Sequence, residues 1–237
     1  MTRLTTCADA EAVARRAASD IARHLQRMRA ERAVAHLALS GGTTPTRTYE
    51  LLAREQLDWS GIEVWFADER CVKPSDAQSN FRLARESLFA TAAIPPQQIH
   101  RMEGELGPEE GAELYSAALI ANVRARAGLP ALDLVVLGIG PDGHVASLFP
   151  GASTLDADPH ALCLGVRDSP KPPRERITLS LQMLRAAERC LLLATGASKA
   201  DAVAAMLAEP SRSVPASLLR RERLSVIVDD AAAPTSP

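Results

Sequence analysis

Aromatic residues are scarce: Phe, Trp and Tyr make up 3% of the 237 residues. That scarcity removes the stacking platforms on which single-stranded nucleic acids are held. Basic charge is not in excess either. The chain has 27 Lys and Arg against 29 Asp and Glu, a net charge of −2, so the electrostatic footprint of a polyanion-binding protein is missing. No apolar run approaches the roughly 18 residues that a membrane span needs. The stretch from Met1 to Arg32 is dotted with Arg, Glu and Asp, unlike the apolar block of a secretory signal. Four cysteines, Cys7, Cys71, Cys163 and Cys190, lie far apart with no Cys-x-x-Cys pair. They offer neither zinc spacing nor a disulfide framework, and buried or incidental thiols are expected. These absences imply a cytoplasmic protein that binds no nucleic acid and no membrane.

What is present is ordinary globular material, with 46% hydrophobic and 24% charged residues. The length suits one domain over residues 1–230, followed by a tail at 231–237 that has no core-forming pattern and is expected to fray. Ala10, Val13, Ala14, Ala17, Ile21, Leu25 and Met28 fall at steps of three and four, the stripe of a helix. Val34–Leu39, Ile62–Ala67 and Leu132–Leu137 read as strands, and the last runs apolar without alternation, as a strand covered on both faces does. Further strands are expected at Leu162–Val166, Ile177–Leu179, Cys190–Ala194 and Leu224–Val228. Helices are expected at Gln78–Phe89, at Glu109–Ala127 with closure by Gly128 and Pro130, at Leu181–Ala187 and at Ala197–Ala208. Short strands alternating with helices predict a single-domain, Rossmann-like α/β fold with a mainly parallel sheet flanked by helices. Ligands bind such sheets beyond the carboxyl ends of the strands.

Several loops fall at that edge. Ser40-Gly41-Gly42-Thr43-Thr44-Pro45 joins a strand to a helix; its glycines admit close backbone approach, and the helix N-terminus suits an anion. It lacks the Gly-Lys-Ser/Thr ending of a nucleotide-triphosphate loop. Asp68-Glu69-Arg70 ends a second strand; Arg70 can fork onto a phosphate and Asp68 can hold a polar neighbour. Gly138-Ile139-Gly140-Pro141-Asp142-Gly143-His144 follows the strongest strand. His144 is the best-placed general base in the chain, since an ordinary imidazole pKa near 6.5 suits proton transfer at neutral pH. Asp142 stands with it as a catalytic candidate. His24, His36, His100 and His160 occupy blander settings and read as structural or surface residues. Thr195-Gly196-Ala197-Ser198-Lys199 brings Lys199 towards the same edge as a point charge for an anion. Arg167, Lys171, Arg174 and Arg176 form a further basic group around Pro170, Pro172 and Pro173.

Taken in order, these pieces resemble the 6-phosphogluconolactonase family of the short α/β type. The resemblance rests on the Ser40–Pro45, Asp68–Val72, Ser79–Arg82, Gly138–Gly151, Arg176–Leu179 and Gly196–Ala200 segments and spans most of the chain. It implies the glucosamine-6-phosphate isomerase type of fold and hydrolysis of 6-phosphogluconolactone in the pentose phosphate pathway, with no metal or nucleotide cofactor. It also implies that His144 activates water, and that Ser40, Gly41, Gly42, Thr43, Asp68, Arg70, Arg176 and Lys199 gather around the substrate's phosphate and hydroxyls. Whether Arg167, Arg174 or Arg176 faces the site is left open by the sequence. A monomer or weak dimer is expected. Without a Gly-x-Ser-x-Gly elbow, attack by water is preferred over an acyl-enzyme. Two alternatives compete: a glucosamine-6-phosphate deaminase, and a non-catalytic sugar-phosphate-binding module. The deaminase pattern continues after the His to Phe-Asn-Glu-Pro and has Asp-Glu-Tyr as its second motif. In this chain the corresponding stretches are Ser147-Leu148-Phe149-Pro150 and Asp68-Glu69-Arg70, which favour the lactonase. The sensing module would need a DNA-binding part, for which the charge is wrong.

Overall fold

The computed structural model describes residues 2–234. The chain opens with strand β1 (Arg3–Cys7), helix α1 (Ala10–Glu31), β2 (Ala35–Leu39), α2 (Thr43–Leu52), β3 (Ile62–Phe66), β4 (Asp68–Arg70) and the short α3 (Asn80–Ala84). It continues with α4 (Pro108–Asn122), β5 (Ala125–Arg126), β6 (Leu129–Pro130), β7 (Leu134–Gly138), β8 (Cys163–Val166) and β9 (Arg176–Leu179). It closes with α5 (Leu181–Ala186), β10 (Cys190–Ala194), α6 (Ala200–Leu207) and β11 (Leu224–Asp229).

Six strands form a parallel sheet in the order β1-β11-β10-β7-β2-β3. Its inner strands are buried along their length, which explains the unalternating Leu and Val runs of β7 and β10. Helix α1 covers the sheet with the predicted stripe, from Val13 through Ala17, Ile21 and Leu25 to Met28. Asp9 caps it, its side chain accepting the Ala12 amide at 2.7 Å. From β2 the chain steps outward to β3, and from β7 it steps the other way to β10 and β11. The boundary between β2 and β7 is thus the switch point at which α/β sheets leave a crevice.

A second, antiparallel sheet of order β4-β9-β8 lies against this crevice. Ala67 ties the two sheets together: its amide donates to Leu39 O in β2 at 2.8 Å, and its carbonyl accepts the Leu179 amide in β9 at 2.8 Å. Buried residues of both sheets and of the flanking helices form one continuous core cluster.

Three expectations need correction. The helix read at Glu109–Ala127 runs from Pro108 to Asn122. Ala127 (φ 51°) and Gly128 (φ 85°) instead make the two-residue turn of the β5–β6 hairpin, a turn that needs positive φ at both central residues. The helix read at Gln78–Phe89 starts at Asn80 behind the Ser79 cap and continues as a π-helical turn over Arg85–Phe89. The tail is anchored further than expected, because Ala232 is fully buried and its amide donates to the Asp229 carboxylate at 2.8 Å; residues 235–237 lie outside the described residues. Strand β1 was not anticipated at all. No helix among the described residues is long and apolar enough to cross a membrane.

Candidate active site

A cleft of about 210 Å³ opens at the carboxyl ends of β2, β7 and β10, beside the switch point. Its floor is built by the loops that follow these three strands. The first begins at Ser40, whose amide donates to Tyr49 Oη at 3.0 Å while the tyrosine hydroxyl returns a bond to Ser40 O at 2.8 Å. This latch fixes the loop to α2. Gly41 must lack a side chain, because a Cβ there would sit 2.0 Å from Asn80 Oδ1. Gly42, at φ 114°, turns the chain into α2 and leaves the helix N-terminus, with Thr43 and Thr44, facing the cleft. Thr44 Oγ1 is 2.7 Å from Thr195 Oγ1, which joins this loop to the one after β10. That third loop turns at Gly196, held by the Asp229 carboxylate at 3.0 Å, and delivers Lys199 to the cleft. Burial, and next the charge of Lys171, lower the Lys199 pKa.

The middle loop carries the titratable pair. His144 Nδ1 lies 2.5 Å from Asp142 Oδ1, and Lys171 Nζ lies 3.3 Å from both atoms. The carboxylate can only accept, so it assigns the hydrogen to Nδ1 and leaves the Nε2 lone pair free for a proton. Burial lowers the His144 pKa and outweighs the opposing pull of Asp142. Burial also works against the charge on Asp142, but the His144 hydrogen bond and the Lys171 charge prevail and hold its carboxyl below the ordinary range. The loop folds tightly: Gly140 donates to His144 O at 2.9 Å, and a Cβ on Gly140 would meet His144 Nδ1 at 2.0 Å. Ala146, also in the cleft, is held at φ 48°, a conformation that costs energy in a residue with a Cβ.

The small sheet supplies the wall. Asp68 is buried, with Oδ2 accepting Ser147 Oγ at 2.8 Å and Oδ1 accepting Asn80 Nδ2 at 3.2 Å. Arg70 reaches the cleft while donating to Gln78 O. Arg176 is buried with its guanidinium on the carbonyls of Pro173 and Lys171, both at 3.0 Å, and 5.8 Å above the Phe149 ring. Burial lowers its pKa. The question left open among three arginines is thereby answered geometrically. Arg176 lines the cleft, whereas Arg167 is exposed and paired with Glu109 and Glu175, and Arg174 is exposed. Among the described residues, four buried side-chain polar atoms lack a hydrogen-bond partner, and three of them, on Ser40, Arg70 and Asn80, belong to residues lining this cleft.

All ten anticipated residues meet in this cleft apart from Asp142, which stands behind His144 rather than on the cleft surface. Lys171 and Asn80 were not singled out by sequence reasoning. The signal for Lys171 was its place in the basic, proline-rich loop; for Asn80 it was only a motif position. The four other histidines are structural or peripheral. His24 and His36 are buried, His24 Nε2 against Asp133 O at 3.1 Å and His36 Nδ1 against Trp65 Nε1 at 3.2 Å; His100 pairs with Glu63 at 2.5 Å. Among the described residues, no group of three or more His, Cys, Asp or Glu could hold a metal ion.

Comparison with known proteins gives a consistent result. The family model described as glucosamine-6-phosphate isomerases/6-phosphogluconolactonase matches residues 8–228. The chain is 35% identical over 182 residues to a 6-phosphogluconolactonase of Treponema pallidum, covering 76% of this chain and 75% of the relative. It is 35% identical over 242 residues to that of Streptomyces coelicolor, covering 97% and 92%. The crystal structure of 6-phosphogluconolactonase from Thermotoga maritima superposes with a TM-score of 0.86 at 29% identity, over 97% of this chain and 99% of that one.

Proposed function

The chain belongs to the family of glucosamine-6-phosphate isomerases and 6-phosphogluconolactonases, and on that premise we propose that His144 activates the water that opens 6-phosphogluconolactone. The enzyme is a lactone hydrolase of the pentose phosphate pathway, yielding 6-phosphogluconate. The observation that carries the mechanism is the 2.5 Å contact of His144 with Asp142 inside a cleft lined by Arg70, Lys171, Arg176 and Lys199.

Water held against His144 Nε2 attacks the lactone carbonyl carbon as Nε2 takes its proton. Asp142 keeps the imidazole in the required tautomer and stabilises the imidazolium that forms. The carbonyl oxygen gains negative charge, for which the cleft cations supply a preorganised field. When the tetrahedral adduct collapses, the bond from carbon to ring oxygen breaks, and the ring oxygen receives the proton from Nε2. The Ser40–Thr44 loop, the α2 N-terminus, Arg70 and Lys199 anchor the phosphate, and that remote charge positions the reacting carbon.

The deaminase reading is disfavoured by the residues after His144. Ser147 is committed to Asp68, and Leu148 and Phe149 are buried. No carboxylate follows the histidine there. The test is a coupled assay of purified protein on freshly made 6-phosphogluconolactone beside glucosamine 6-phosphate. Hydrolysis of the first above its spontaneous rate, with no ammonia from the second, is expected; the reverse pattern would reject the reading.

A further inference from the structure

The opposite end of the parallel sheet carries a second concentration of positive charge. Arg3 opens β1 and Arg189 immediately precedes β10. Both therefore lie at the amino edge of the parallel sheet, opposite the carboxyl edge that bears the catalytic cleft and about 17 Å from it along a five-residue strand. Helix α1 adds Arg16, Arg23 and Arg27 from one face, and together these side chains line a cavity of about 250 Å³. Among the described residues the only carboxylate lining it is Asp20, which is occupied by Arg16 Nε at 3.1 Å and by Arg23. Glu188 points elsewhere, to Arg32 and Arg126. Among the described residues, Arg3, Arg27 and Arg189 have no carboxylate within 4.0 Å.

Two details separate this cavity from a merely solvated basic surface. Arg189 is half-buried and makes no side-chain hydrogen bond among the described residues. Its pKa is lowered by burial first, with Arg3, Arg27 and Arg23 adding repulsion against the pull of Asp20. A desolvated guanidinium facing like charges is costly unless an anion accompanies it. Arg27, in turn, is aimed. Buried His24 spends its Nε2 hydrogen on Asp133 O at 3.1 Å, so Nδ1 accepts from the Arg27 guanidinium at 3.2 Å.

We propose that this cavity is a second anion site, separate from the catalytic cleft, and that it takes a phosphate oxyanion, free or as a small phosphomonoester. The planar forks of Arg27 and Arg189 match tetrahedral oxyanions by paired hydrogen bonds. The volume suits a compact ion rather than a nucleic acid, which would need a long basic stripe and a chain of positive net charge.

The test is calorimetric titration of the full-length protein at low salt with inorganic phosphate and, separately, with glycerol 2-phosphate. Arg70→Ala weakens the catalytic cleft's hold on phosphate, so the part of the remaining heat that depends on Arg27 or Arg189 reports on the second site. Arg27→Gln and Arg189→Gln are each introduced into that background, with circular dichroism to confirm folding. Saturable binding in Arg70→Ala that weakens at least about tenfold on Arg27→Gln, and on Arg189→Gln where that variant folds, supports the site, the loss expected for one charge-assisted bond. Tighter binding of the ester identifies a phosphorylated small molecule as the ligand, and equal binding identifies the free ion; both support it. Arg27 is exposed on its helix, so Arg27→Gln decides the matter even if Arg189→Gln does not fold. Absence of binding in Arg70→Ala, or binding unchanged by Arg27→Gln, would overturn the proposal.

Discussion

The carboxylate of Glu69 holds in place the helical turn that carries Asn80. Oε1 accepts the Asn80 amide and the Arg70 amide, both at 2.7 Å, while Oε2 accepts the Phe81 amide at 2.8 Å and Ser79 Oγ at 3.0 Å. Burial raises the Glu69 pKa and these four donors oppose the rise. The side chain of Asn80 then donates to Asp68 O at 2.8 Å and backs the space reserved by Gly41. One buried acid thus sets the position of two cleft walls.

Glu69→Gln replaces one acceptor oxygen by a donor. Roughly 1–3 kcal/mol of stability is expected to be lost for each buried donor left without an acceptor. In a chain of this size that lowers Tm by about 2–4 °C per kcal/mol. Well below the melting point, kcat/KM is expected to fall chiefly through KM, because the imidazole is untouched. Thermal melts and steady-state kinetics check both; an unchanged Tm and KM would show that Glu69 positions nothing.

His144→Asn removes the proton acceptor. After subtraction of spontaneous hydrolysis, kcat is expected to fall about 10²–10⁴-fold, with KM changed much less. A background-corrected kcat within about twofold of the parent would make His144 structural, since a general base contributes far more than that.

The acid side of the rate profile reports on the same residue. Activity is expected to be lost as pH falls through the His144 pKa, because the protonated ring cannot accept. Burial lowers that pKa, so the limb is expected below the ordinary imidazole value near 6.5. Asp142 raises it. Asp142→Asn is therefore expected to move the limb to still lower pH while reducing kcat roughly 10- to 150-fold, the worth of a charged hydrogen bond. A shift to higher pH would contradict the stabilisation of the imidazolium by the Asp142 carboxylate.

Gly140→Ala tests the packing of the pair. The new methyl would overlap His144 Nδ1 and Asp142 Oδ1, at 2.0 and 2.3 Å. Loss of kcat approaching that of His144→Asn is expected, with far-UV circular dichroism retained. Full activity would mean the contact relaxes freely.

Substrate anchoring by phosphate is the last expectation. Arg70→Ala should reduce kcat/KM by about 1.5–3 kcal/mol in transition-state stabilisation. The parent enzyme should discriminate strongly against gluconolactone lacking the phosphate. Equal rates on the two lactones would remove the anchor from the mechanism.

The parallel sheet was legible because its buried strands advertise themselves as apolar runs, β7 and β10 above all. Strand β1, with the sequence Arg-Leu-Thr-Thr-Cys, was not. Among the described residues it pairs only with β11, at the sheet edge, and stays partly exposed, so it needs no apolar pattern. The break between α4 and the hairpin was hidden for another reason: Ala127 is a strong helix former that adopts φ 51° in a tight turn. In the cleft, chemistry was legible wherever glycine and charge cluster in one loop, as at Gly138–His144. Lys171 was seen only as one of several basic residues, since its approach to Asp142 depends on how a proline-rich loop folds back across the sheet edge.

Ala67 bonds into both sheets, through its N–H to one and its C=O to the other, and this bears on how the enzyme meets its substrate. Asp68 and Arg70 cannot swing away from the Ser40–Thr44 loop unless a hydrogen bond in one sheet or the other breaks. The wall and the floor they flank therefore move as one piece. Little conformational entropy remains to be surrendered in this part of the cleft when a ligand arrives, so more of the interaction energy is retained for holding the reacting carbon beside its base. Slow amide exchange at Ala67 and Leu179, little altered by bound product, is the signature such a preformed cleft would leave.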